Sequence, residues 1–215
     1  MTPAPECICV IDDDAEVRGS IGSLLRSSGY DVRLYDGPAA FLAAGAPDVP
    51  SCLVLDIRLS GENGLDFQER LAGHGVALPV VLITGHGDIP MTVRGMRAGA
   101  VDFLPKPFGD EQLLAAVAAA LDVDRSRRAE AAGAAALTAN FAALTPREKE
   151  VMGLVVTGLM NKQVAARLEL SEITVKIHRG NVMRKMEAQS LADLVRMAEQ
   201  LGVRDESIHR YNTSV

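Results

Sequence analysis

Asp12, Asp13, Asp56, Thr84 and Lys106 each stand at or just past the C-terminal end of a short hydrophobic run. The runs are CICVI before the two aspartates, SCLVL before Asp56, PVVLI before Thr84 and VDFL before Lys106. Three carboxylates, a hydroxyl and an ammonium brought together could hold a divalent cation and a phosphoryl group. Crowded carboxylates repel and their pKa values rise unless a cation neutralises them. A hard ion such as Mg²⁺, or Mn²⁺, takes oxygen ligands, keeps several waters and commonly shares a phosphate. Asp56 could then attack phosphorus as a nucleophile. The cation would clamp the phosphoryl oxygens, Lys106 would balance the remaining charge, and Thr84 would offer a hydroxyl to the arriving group. Taken singly, each residue has a plainer use. Asp12 to Asp14 would cap a helix and complement its dipole, Asp56 would close a turn, and Lys106 would be solvated. Their joint placement at four run ends favours the chemical reading.

Runs this short and dense, separated by helical stretches, read as parallel strands buried on both faces. Strands are expected near 6–11, 31–35, 51–55, 79–83 and 101–104, with helices near 15–28, 38–45, 64–72, 88–98 and 110–123. Right-handed crossovers make this an α/β fold, a five-stranded parallel, doubly wound sheet of the flavodoxin-like kind. Ligands of such sheets bind beyond the strand carboxyl ends, where the five polar residues stand. Gly29, Gly45 and Gly99 each follow a helical stretch, where a left-handed cap residue is wanted.

The 215 residues suffice for one large domain or two small ones, and 48% hydrophobic content supports real cores. No apolar run approaches a membrane span. The start MTPAPEC lacks the basic region and cleavage pattern of a secretory signal, so a cytoplasmic protein without a membrane partner is expected. Cys7, Cys9 and Cys52 read as small buried core residues, and no spacing matches a zinc site. The net charge of −6 is unevenly spread. Residues 1–141 carry 11 Lys+Arg against 19 Asp+Glu, and residues 142–215 carry 11 against 9. The acidic half suits a metal or regulatory module, and the mildly basic half could face a polyanion.

Residues 110–143 hold 14 alanines in 34 positions. Alanine is the best helix former, so the fifth helix could continue as a linker rod, with Gly133 its weak point at about 1 kcal/mol. A loosely ordered tether is the alternative. The implied organisation is a first domain over 1–123, an Ala-rich linker over 124–143, a helical domain over 144–202 and a flexible tail over 203–215. In the helical part, Thr145-Pro146-Arg147-Glu148 is a capping box with Pro at the first helical position. Ser171 and Ser190 are N-caps of further helices. Four short helices are expected, about 146–157, 161–168, 172–186 and 190–200.

Residues 6–123 resemble a CheY-like receiver domain of a two-component response regulator. The matching pieces are VIDDD, LVLDIRL with Gly64 downstream, VVLITGHGD and AGAVDFLPKPF. The resemblance implies that Asp56 accepts phosphate from a sensor histidine kinase. It implies a Mg²⁺ held by Asp13, Asp56 and the Arg58 main-chain carbonyl, with Asp12 reaching it through water. Thr84 and Phe103 would be a switch pair, and the Lys106–Pro107 bond is often cis in such receivers. Many receivers carry Pro four residues after the acceptor, where this chain has Ser60. Haloacid dehalogenase-type phosphatases also use an Asp at a strand end, but they need a second Asp two residues on, where this chain has Arg58.

The segment LTPREKEVMGLVVTGLMNKQVAARLELSEITVKIHRGNVMRKM resembles the LuxR-type helix-turn-helix of FixJ/NarL-class regulators, and the receiver phrases point to the FixJ side. That implies an all-α DNA-binding domain whose helix after Ser171 enters the major groove. Ile173, Ile177, Met186, Val175, Val182 and Met183 are expected to form its buried stripe. Thr174, Lys176, Arg179, Asn181 and Lys185 are the candidate contacts to double-stranded promoter DNA. Asn161 and Lys162, at the start of the preceding helix, could meet a phosphate. The same residues would also suit a helical bundle with a solvated charged face, and His178 could pack or make contact.

The function implied is a phosphorylation-controlled transcription factor rather than an enzyme. Phosphate on Asp56 would drive homodimer formation through the fourth helix and fifth strand, using Val93, Arg94 and Arg97. Alternatives are a receiver that acts as a phosphate sink without regulated DNA binding, or an Asp-nucleophile phosphatase.

Overall fold

β1 (Cys7–Ile11) and β3 (Ser51–Asp56) are buried at every residue. A strand covered on both faces has no polar alternation to show, which is why the sequence there is an unbroken apolar run. The structure is a computed structural model that describes residues 6–85 and 89–203. Its chain divides into two units, Met1–Ala129 and Glu130–Val215.

In the first unit, α1 (Ala15–Ser27), β2 (Asp31–Tyr35) and α2 (Pro38–Ala44) lie between β1 and β3 in sequence. A two-residue hairpin follows β3, formed by β4 (Arg58–Leu59) and β5 (Glu62–Asn63). After it come α3 (Gly64–Arg70), a 3₁₀ turn over Leu71–His74, β6 (Val80–Thr84), α4 (Ile89–Arg97), β7 (Ala100–Pro105) and α5 (Asp110–Ala142), whose residues from 130 on belong to the second unit. The five long strands run parallel in the order β2-β1-β3-β6-β7. The chain reverses direction across the sheet between β1 and β3, so their carboxyl ends flank the crevice that such sheets use for ligands. The hairpin was not expected. Its strands are too short to leave a periodic signal, and Gly61 turns it with φ 95°.

Two cores cover the sheet. Ile8, Val10, Val54, Val81 and Ile83 point to one face and pack on Ile21 and Leu25 of α1 and on Leu113, Val117 and Leu121 of α5. Their sequence neighbours Cys9, Ile11, Leu53, Leu55 and Leu82 point to the other, against Phe41 of α2 and Leu65 and Phe67 of α3. The alternation follows the strand period of two. All three cysteines are free and buried, and burial pushes the Cys52 thiol up to about 12. They are core residues.

α5 runs beyond 123 to Ala142, the rod rather than the tether of the two alternatives for the Ala-rich stretch. Asp124 is fully buried within it and accepts hydrogen bonds from the Arg127 and Arg128 guanidiniums and from the Ser51 main-chain N–H. A buried carboxylate needs such partners, and here they fasten α5 to the start of β3. The Ala-rich stretch continues as helix through Gly133, whose absent side chain would meet nothing within 4 Å.

The second unit contains α6 (Pro146–Val155), α7 (Asn161–Leu168), α8 (Glu172–Lys185) and α9 (Leu191–Gln200). Thr145 accepts from the Glu148 N–H at 3.2 Å and the Glu148 carboxylate accepts from the Thr145 N–H at 2.8 Å, completing the capping box. Ser171 and Ser190 cap α8 and α9 by accepting from Thr174 and Asp193 N–H groups. Val151, Met152, Val155, Val164, Val175, Val182, Met186 and Leu194 form the core. Residues 86–88 of the ITGHGD phrase and 204–215 of the expected tail lie outside the described residues.

Candidate functional site

The strand ends of the first unit bring the acidic side chains together. Oxygens of Asp12, Asp13 and Asp56 lie within 4.8 Å of one another. Asp12 is fully buried at the end of β1. Its Oδ1 accepts from the Asp14 N–H at 2.9 Å and its Oδ2 from Lys106 Nζ at 2.7 Å. Lys106 Nζ is also 3.5 Å from Asp56 Oδ2. Asp13 Oδ2 accepts from the Ser60 N–H at 3.0 Å and from the Ser60 hydroxyl. The residue standing where many receivers have Pro therefore supplies two donors, both of which Pro would lack.

Burial pushes the Asp56 carboxyl above its ordinary range. The Lys106 ammonium opposes the shift, the Asp12 charge adds to it, and the Arg58 main-chain N–H opposes it again. Asp13 shifts the other way, chiefly through the Ser60 hydroxyl. Asp56 Oδ1 is buried and has no hydrogen-bond partner. A buried carboxylate oxygen without a donor is costly, and three close carboxylates share one nearby ammonium. This donor set, all oxygen and over-charged, fits a hard divalent cation.

Thr84 is fully buried at the end of β6. Phe103 aligns with Leu82, two residues before Thr84, so both side chains belong to one face of the sheet. The ring is half-buried against the core under α3 and α4. The Lys106–Pro107 bond is cis. Gly64 sits where a Cβ would lie 2.2 Å from the Asp56 carbonyl oxygen, and its N–H donates to Ile57 O at 2.9 Å. Only glycine permits this approach of α3 to the strand end.

On α4, Ile89, Val93 and Met96 are exposed at helical spacing, and Arg97 is exposed beside them. Arg94 does not stand free. Its guanidinium donates to Glu69 at 2.8 Å and 2.9 Å and to Asp66 at 2.5 Å, both on α3.

In the second unit, α8 departs from the expected stripe. Val175, Val182 and Met186 are buried, but Ile173 and Ile177 are 74% and 60% exposed. At about 100° per residue, positions 175, 182 and 186 share one face, while 173, 177, 180 and 184 share the opposite one. The stripe expected from sequence combines the two faces. Lys176 and Arg184 are exposed and flank or share the outward face, and Asn181 lies at its edge. Arg179 donates to Asn161 Oδ1 at 3.2 Å, tying α8 to the start of α7. Thr174 Oγ1 is 2.7 Å from Ser171 Oγ, and Lys162 is exposed. Lys185 does not join these residues. Its ammonium donates to the buried Glu148 at 2.6 Å and to Ala143 O at 3.2 Å. Apolar type alone does not separate the outward isoleucines from the buried valines. Their phase relative to Val175 and Val182 was the available signal.

The first unit has the fold and strand-end chemistry of a receiver, and the second has the helix-turn-helix arrangement of a DNA-binding region. Comparison with known proteins agrees. Residues 8–118 match the response regulator receiver domain, and residues 142–198 match the bacterial regulatory proteins of the luxR family. The chain belongs to the response regulators that carry a LuxR-type DNA-binding region, and is a transcription regulator. It is 56% identical to Nodulation protein W of Bradyrhizobium diazoefficiens, over 91% of this chain and 86% of that protein. It is 41% identical to the transcriptional regulatory protein FixJ of the same organism, over 91% of this chain and 96% of that protein. Among solved structures, the response regulator StyR is 45% identical and matches with a TM-score of 0.82, covering 92% of this chain and all of that one. No helix among the described residues is long and apolar enough to cross a membrane.

Proposed function

We propose that Asp56 accepts a phosphoryl group from a sensor histidine kinase and that this event controls the chain's affinity for promoter DNA. The observation that carries the reading is the cluster of three carboxylates and one lysine at the sheet's carboxyl edge, with one buried Asp56 oxygen lacking a donor. An Asp56 oxygen bonds to phosphorus as the phosphorus–nitrogen bond of the kinase phosphohistidine breaks, and the imidazole leaves with that electron pair. Asp13, Asp56 and the Arg58 main-chain carbonyl, with Asp12 through water, would hold Mg²⁺ or Mn²⁺, which would neutralise charge on the phosphoryl oxygens. Lys106 is placed to balance the aspartyl phosphate, and Thr84 to bond one of its oxygens. Phe103 follows Thr84 and couples the site to the α4 surface. This is acceptor chemistry, with one group taken up per chain, in a protein that works in the cytoplasm.

Residues 1–123 act as the receiver, 124–143 as a helical linker and 144–202 as the DNA-binding domain. Pairing of two receivers uses the exposed Val93 and Arg97 with Ile89 and Met96. Arg94 joins only if it exchanges its bonds to Asp66 and Glu69. Lys162, Thr174, Lys176 and Asn181 approach DNA directly. Asn161 and Arg179 act as a bonded pair, and Lys185 serves through the position it gives α8.

Sizing and salt titration test the proposal together. With acetyl phosphate and Mg²⁺ the wild-type chain is expected to shift from monomer to dimer, while Asp56→Asn stays monomeric. DNA affinity is expected to fall steeply with salt, with a slope set by the number of phosphates contacted. A dimer that forms equally without phosphodonor, or DNA binding indifferent to salt, contradicts the proposal.

A further inference from the structure

The outward face of α8 is unusual for a solvated helix. Ile173 and Ile177, one turn apart, are among the most exposed large apolar residues of the described chain. Both are β-branched, so each side chain is stiff and loses little freedom when covered. Gly180, one turn further along the same face, presents no side chain, and its missing Cβ would meet nothing within 4 Å. Arg184 continues the face and Lys176 flanks it. The helix therefore presents two rigid apolar knobs, a flat place and cations at the margin.

Charge selects the occupant. A second apolar protein surface would have to bury Lys176 and Arg184, and residues 172–187 carry four cations, Lys176, Arg179, Arg184 and Lys185, against two carboxylates, Glu172 and Glu187. A nucleic acid supplies phosphates for the cations and one large apolar group in its major groove, the thymine C5 methyl. We infer that Ile173 and Ile177 are specificity-determining residues that read thymine methyl groups in the major groove, while Gly180 lets the backbone lie close to the bases. The inference rests on the DNA-binding reading and adds to it which bases the helix prefers. Hydrogen bonding by Asn181 and Lys176 does not by itself distinguish thymine from uracil, because only the methyl differs.

That difference supplies the test. Binding sites are selected from random DNA by the full-length chain with acetyl phosphate and Mg²⁺, and each thymine is then replaced singly by deoxyuridine. Wild type is expected to lose about fourfold in affinity at one or two thymines, the value of one buried methyl group. Ile173→Ala and Ile177→Ala should each make one of those positions insensitive, with dimer formation and thermal unfolding unchanged because neither side chain is in the core. Wild-type binding that is indifferent to every deoxyuridine overturns the inference and leaves the DNA-binding reading standing. Failure to bind any selected DNA overturns that reading itself. If the alanine variants lose self-association rather than methyl sensitivity, a second copy covers this face and the inference is wrong.

Discussion

Asp56→Asn is expected to reduce phosphate uptake, from acetyl phosphate or from a phosphorylated kinase, to background. The amide matches the carboxylate in size but has no anionic oxygen to attack phosphorus, and it removes one of the three charges available to a cation. The change should not harm the fold. Asp56 is nearly buried, and burial and Asp12 together disfavour its charged form. Without a bound cation, an uncharged side chain there relieves repulsion, so the variant should melt no lower than wild type. Loss of chemistry with retained stability separates a reacting group from a structural one. Borohydride reduction of the phosphorylated wild type, followed by peptide mass analysis, should mark position 56. Label that persists in Asp56→Asn at the wild-type level places the phosphate elsewhere.

Glu148→Ala is expected to destabilise the DNA-binding unit by about 2–4 kcal/mol, combining a broken buried ion pair with a lost helix cap. The carboxylate is 3% exposed and accepts from both Lys185 and the Thr145 N–H. Without it, the Lys185 ammonium keeps only the Ala143 carbonyl. Glu148→Ala with Lys185→Met should recover part of the loss, because no unpaired charge then remains. Lys185 holds the Glu148 carboxyl down at about 2, against an ordinary value of 4.5. A depressed carboxylate pKa stabilises the fold above the unfolded value. The stability gap between wild type and Glu148→Gln should therefore be full above about pH 4.5 and close as pH falls towards 2. Unfolding of the full chain followed by circular dichroism across that range checks it. A gap that does not change with pH would show that the ion pair contributes nothing.

Legibility depended on whether a residue's role was local. Asp12, Asp56 and Thr84 could be placed because a buried strand must be apolar to its last residue, so a polar group marks the end. Helix starts in the second unit could be read because caps bond within three residues, as at Thr145 and Ser190. The phase of α8 was harder to see, because Ile173 and Val175 are alike in type and differ only in which side faces the core. Lys185 looked like a DNA contact for the same reason, its partner Glu148 being 37 residues away. Arg94 found its carboxylates on another helix, and no local pattern shows such a meeting. The small hairpin after β3 is fixed by a turn at Gly61 rather than by any periodicity, and of the two readings of the Ala-rich stretch, rod or tether, α5 takes the rod, as alanine's helix propensity favours.

The most direct measurement is the affinity of the full-length chain for a selected binding site, with and without acetyl phosphate and Mg²⁺. A rise of roughly 5–150-fold is expected in wild type, the usual range of coupling between two sites, and none in Asp56→Asn. Equal affinity in both conditions, with position 56 shown to be phosphorylated, would contradict it.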